Sequence, residues 1–113
     1  FTGFYKMATS ENDGSQTATV TTEHTLDTIT TSGVFVLYVD TVNMAIGDYL
    51  TLRGKVKARS VGTTRLAYTA KYAGVQGDLV KISIPIASTN EVVFTLEQTA
   101  GTGRAFPWEI MSL

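Results

Sequence analysis

Apolar residues recur at every second position along most of this chain, and the three-to-four spacing of an amphipathic helix is almost absent. The clearest stretch is "YLTLRGKVKARS" (Tyr49 to Ser60). Alternation there puts Leu50, Leu52, Val56 and Ala58 on one face and Thr51, Arg53, Lys55, Lys57 and Arg59 on the other. In "VFVLYVD" (Val34 to Asp40) both faces are apolar, which predicts a central strand covered on each side. "RLAYTAKYA" aligns Leu66, Tyr68, Ala70 and Tyr72, and "EVVFTLEQT" aligns Val92, Phe94 and Leu96. "LVKISIPIA" would turn Val80, Ile82, Ile84 and Ile86 inward. Pro85 cannot donate to a ladder, so it marks an edge strand or a bulge. "TATVTTEHTL" (Thr17 to Leu26) reads as a Thr-rich strand with Val20, Thr22, His24 and Leu26 on one face.

Gly, Asn, Asp and Ser clusters separate about seven or eight such strands, the spacing of a β-sandwich or barrel. A single sheet this long would leave one apolar face in water, so two sheets packed face to face are expected. The 113 residues suit one domain with one core. The expectation is an all-β, single-domain antiparallel β-sandwich, jelly-roll or immunoglobulin-like, over residues 17–113. Residues 1–16 would form an N-terminal arm or flexible segment, since "TSENDGSQ" (Thr9 to Gln16) is polar around an Asp-Gly pair. Met7-Ala8-Thr9-Ser10 would suit a natural start, leaving "FTGFYK" as an upstream remnant. Phe1, Phe4 and Tyr5 are apolar and lack alternating context, so they are candidate contacts needing cover from the domain or a neighbour.

Few residues offer chemistry. There is no cysteine, which removes disulfides, thiolate metal sites and a cysteine nucleophile. His24 is the single histidine, so no multi-histidine metal site can form, and a hydrogen-bonded strand histidine is a simpler role than general base. Asp40, Asn43 and Asp48 around "TVNMAIG" could hold a hard cation through oxygen, although such residues more often cap their own turns. "AGTGRAFPWEI" contains Gly101-x-Gly103 followed by Arg104. A phosphate-cradling loop would open a helix, whereas Phe106, Trp108 and Ile110 alternate and Pro107 disfavours helix. These glycines therefore read as a hairpin turn. No apolar run approaches the roughly 18–20 residues of a membrane span, and no signal peptide is recognisable. No catalytic residue, cofactor or metal is expected.

Charge placement is the most informative polar feature. Arg53, Lys55, Lys57, Arg59, Arg65, Lys71 and Lys81 all fall between Tyr49 and Lys81, where Asp78 is the sole acid. The first four form a ridge by alternation, and Arg65 and Lys71 on the next strand would extend it into a protein-contact patch. Pairing of these cations with Glu91, Glu97 or Glu109 across strands is the plainer possibility. Nucleic acid fits poorly, because no aromatics interleave with the ridge and net charge is −1. An exposed Trp108 would instead point to a sugar-stacking platform.

Between about Thr17 and Ile110 the chain resembles a group of short proteins of tailed bacteriophages and prophages. "VDTVNMAIGD" and "LEQTAGTGRAFPW" are the most specific shared pieces. The resemblance implies a phage origin and, by analogy of size and class, a capsid decoration or cement protein. Such a protein would be made in the host cytoplasm and carried on the virion. It would bind the major capsid protein or other virion proteins, in several copies, and tie capsomers together. A carbohydrate-binding or host-adhesion module of the particle is the alternative.

Overall fold

The structure is a computed structural model that describes residues 8–113. Phe1, Phe4 and Tyr5, the candidate arm contacts, lie outside the described residues. Nine strands follow in chain order: β1 (Thr9–Thr17), β2 (Glu23–Ile29), β3 (Gly33–Asp40), β4 (Tyr49–Val56), β5 (Arg65–Ala73), β6 (Val80–Ile82), β7 (Ile86–Ser88), β8 (Val92–Ala100) and β9 (Ala105–Ser112). One sheet, called A below, runs β1-β9-β3-β6, with β7 also on β3; sheet B runs β2-β8-β4-β5. Every pairing is antiparallel. The two sheets pack into the β-sandwich that the alternation predicts.

The core lies between the sheets and takes every second side chain of the central strands. Phe35, Leu37 and Val39 of β3 and Phe106 and Ile110 of β9 meet Leu50 and Leu52 of β4 and Val92, Phe94 and Leu96 of β8. Gly54 continues the inward row of β4. A Cβ there would stand 2.6 Å from the Ile86 side chain, so glycine lets the two sheets close at this point. The second apolar face of β3 is less enclosed: Val36 is buried outside the core cluster, and Tyr38 is half-buried.

The strand assignments depart from the sequence expectations in four places. Thr9 to Gln16, expected as a loop or arm, belongs to β1 and pairs with β9 from Thr9↔Ser112 to Thr17↔Ala105. Thr17 to Leu26 is not one strand: β1 ends at Thr17, a turn with Thr21 at φ 68° follows, and β2 begins at Glu23. The run around Pro85 splits into β6 and β7, and the break shifts its phase. Ile86 points inward, and buried Ser83 bonds the β3 backbone, its hydroxyl accepting the Leu37 amide at 2.8 Å. Val80, Ile82 and Ile84, expected inside, are about half exposed. In β5 a register shift sets Tyr68 opposite Gly54 but Leu66 opposite Lys55. This bulge sends Leu66 to the outer face and separates Arg65, opposite Val56, from the face that carries Lys71.

Candidate functional site

The expected basic ridge proves to be two different surfaces. Arg53 and Lys55 do lie on the outer face of β4, but acids on β8 and, one strand further, β2 meet them. Arg53 Nη1 sits 2.8 Å from Glu97 Oε1 and 3.3 Å from Glu23 Oε2, and Lys55 Nζ sits 3.0 Å from Glu23 Oε2. The Thr95 hydroxyl donates to the same Glu23 oxygen at 2.6 Å. That hydrogen bond, with Lys55 and Arg53 beside it, holds the Glu23 carboxyl below its ordinary value of 4.5 against the opposing effect of burial. The register explains the cluster, since Glu23↔Glu97 and Glu97↔Thr51 bring three strands together on one face. Partly exposed pairs of this kind contribute about 1 kcal/mol or less each. Of the three acids considered from sequence, only Glu97 pairs with the ridge. Glu91 accepts the Thr64 hydroxyl, and Glu109 belongs to sheet A.

Lys57 and Arg59 are not on the strand. β4 stops at Val56, Lys57 follows it, and Arg59 sits in a turn closed by the Gly62 amide donating to its carbonyl at 2.9 Å. Arg59 and Arg65, at the start of β5, flank the tip of the β4–β5 hairpin, while Lys57 lines a separate hollow with Gly33, Val34 and Asn90. Among the described residues none of these three cations has a carboxylate within 4 Å. Val61 and Leu66 at the same tip are 77% and 56% exposed, and with Arg59 and Arg65 they line a shallow hollow of about 510 Å³. Lys71 stands apart on the outer face of β5, opposite Thr51, also without an acid within 4 Å.

The Gly101-x-Gly103-Arg104 segment is not the expected hairpin turn: β8 and β9 belong to different sheets, and this loop carries the chain from sheet B to sheet A, with no helix after it. Its anchor is Asp48, which is 1% exposed. One Asp48 oxygen accepts the Ala45 amide at 2.9 Å and Arg104 Nε at 2.8 Å, and the other accepts the Thr102 amide at 3.1 Å. Burial pushes the Asp48 carboxyl up, but these three donors together outweigh it and hold the group below its ordinary 3.8. Gln98, fully buried, completes the clamp. Its amide nitrogen donates to the Ala100 and Thr102 carbonyls, and its oxygen accepts the Arg104 amide. Asp48, Asn43 and Asp40 therefore serve the loops. Asn43 donates to the Ala105 carbonyl at 2.8 Å, and Asp40 accepts the Val42 amide at 3.0 Å. Among the described residues no three metal-ligating side chains converge.

His24 Nε2 accepts the Thr19 amide at 3.0 Å, which closes the turn between β1 and β2. Trp108 is half-buried and packs against the core, and Gly14 on β1 leaves room for its indole, 3.3 Å from where a Cβ would be. The outer face of sheet A carries a shallow hollow of about 460 Å³ lined by Tyr38, Val80, Pro107 and the acids Asp13, Asp40 and Glu109. Sequence reasoning missed Glu23 and Gln98 as organisers and the Asp48–Arg104 pair, whose partners stand 56 residues apart. Comparison with known proteins found no matching family model, no matching curated protein and no matching solved structure.

Proposed function

We propose that this chain is a structural protein of a tailed-phage virion, a decoration or cement protein that binds the capsid surface and acts by contact rather than by catalysis. The phage assignment draws on the resemblance over Thr17 to Ile110. The observation that carries a contact role is the β4–β5 hairpin tip, where Arg59 and Arg65, with no carboxylate within 4 Å among the described residues, flank exposed Val61 and Leu66. Uncompensated cations around an apolar centre match the polar rim and apolar middle of a protein interface. The partner is an acid-rimmed apolar site on the major capsid protein. Binding there from many copies would tie neighbouring capsomers against the pressure of the packaged genome.

Mass-spectrometric counting of purified virions tests this. The chain is expected in a fixed ratio to the major capsid protein, and Arg59→Glu is expected to lower its occupancy at least about tenfold by placing like charge against the capsid acids. A chain found only free in the lysate would overturn the proposal.

A further inference from the structure

The two flanks of the sandwich differ in the sign of their charge. On one flank β1 and β2 are the edge strands of the two sheets, bridged where the Thr31 hydroxyl donates to Glu11 Oε1 at 3.2 Å. These strands carry Glu11, Asp13 and Asp27, together with Glu23, which is already paired with Arg53 and Lys55, and no Lys or Arg. On the other flank β5 and β6 are the edges, joined where Lys81 Nζ lies 4.9 Å from the centre of the Tyr72 ring. They carry Arg65, Lys71 and Lys81 and no acid. The longest edges, β1 and β5, have nine residues each. Among the described residues β1 pairs only with β9 and β5 only with β4. Each therefore leaves one side of its backbone amides and carbonyls without a strand partner.

We propose that these unlike edges join two copies of this chain head to tail, with β1 of one copy adding to β5 of the next and continuing sheet A into sheet B. Charged edges normally keep sheets apart. Here the signs keep β1 from β1 and β5 from β5 while favouring β1 with β5. Asp13 shares the outer face of sheet A with Glu109, which stands directly opposite it, a like-charge pair that costs stability unless a cation intervenes. Neither acid has a cation within 4 Å among the described residues. Lys71 on the outer face of β5 supplies that cation when the two outer faces run together. Because β1 and β5 lie on opposite flanks, the contact is heterologous and builds a ring or a filament rather than a simple two-fold dimer. The pairing is a property of the chain alone and stands whether or not the protein is found on a capsid.

Sedimentation of the purified full chain in low and high salt provides the test. Wild-type protein is expected to associate with rising concentration, and less so in high salt as charges are screened. Asp13→Lys and Lys71→Glu should each weaken association by at least about tenfold, because each sets like charges against each other. Both positions are exposed, so the melting temperature of each variant should stay near wild type. An equimolar mixture of the two variants should associate again. The reversed β1 of one variant then meets the reversed β5 of the other, while the two unaltered edges still attract. A wild-type chain that stays monomeric up to about 1 mM, the level of a marginal contact, would overturn the proposal. So would association that ignores both reversals, or a mixture that fails to recover it.

Discussion

Asp48→Ala is expected to destabilise the domain by about 2–4 kcal/mol, from the loss of several hydrogen bonds to one buried charged acceptor. The carboxylate is 1% exposed and accepts from two backbone amides and a guanidinium. Removing it takes the shared charged acceptor from all three donors and leaves a gap where a buried carboxylate stood. The donors belong to partly or fully exposed residues and can in part turn to water. In a domain of this size the change corresponds to a drop in melting temperature on the order of 10–20 °C, readable by calorimetry. Asp48→Asn keeps the shape but loses the charge, and should fall between wild type and Asp48→Ala. The same site sets the acid response. Asp48 and Glu23 both titrate below their ordinary values of 3.8 and 4.5. Their stabilisation is therefore complete at neutral pH and is lost as pH falls below about 4 through the folded-state values. Wild-type stability should decline through that window, and Asp48→Ala should decline less. An Asp48→Ala protein that melts within about 2 °C of wild type would contradict the clamp, since less than 1 kcal/mol would then be lost.

Gly101→Ala should be nearly as damaging, by about 3 kcal/mol, through backbone strain and overlap together. Gly101 has φ +93°, which side chains rarely adopt, and an added Cβ would overlap Asp48 Oδ1 and stand 2.8 Å from the Asp48 Cα. Gly47 separates the two causes. Its φ is +91° but nothing lies within 4 Å of an added Cβ, so Gly47→Ala should cost only the strain, about 1 kcal/mol. Denaturant titration of both variants gives the difference. Equal losses would mean that the loop shifts freely past Asp48. Because Gly101 and Asp48 touch, the double variant should lose less than the sum of the two single changes.

The alternation of β4 and β8 was legible because strands buried on one face repeat their polarity every second residue. β1 shows the limit. Apart from Gln16 its residues are exposed, so its own pattern carries no strand signal; pairing with β9 and the space Gly14 leaves for Trp108 define it. The bulge in β5 and the break at Pro85 each reversed a face, because a shift of one residue exchanges inside and outside. That is why Leu66, Val80, Ile82 and Ile84 point outward despite a regular pattern. The basic ridge was visible as composition. Its neutralisation by Glu23 was not, because the acid arrives from β2 through two intervening pairings. The tip cations and the flank charges gain meaning only once the turn at Arg59 and the order of the sheets are fixed.

A density map of the intact virion tests the virion role most directly. It should show this sandwich on the outer shell, repeated with the capsid lattice, its β4–β5 hairpin tip seated on the major capsid protein. A shell bare of this chain, or a copy confined to the tail with the tip facing solvent, would contradict it.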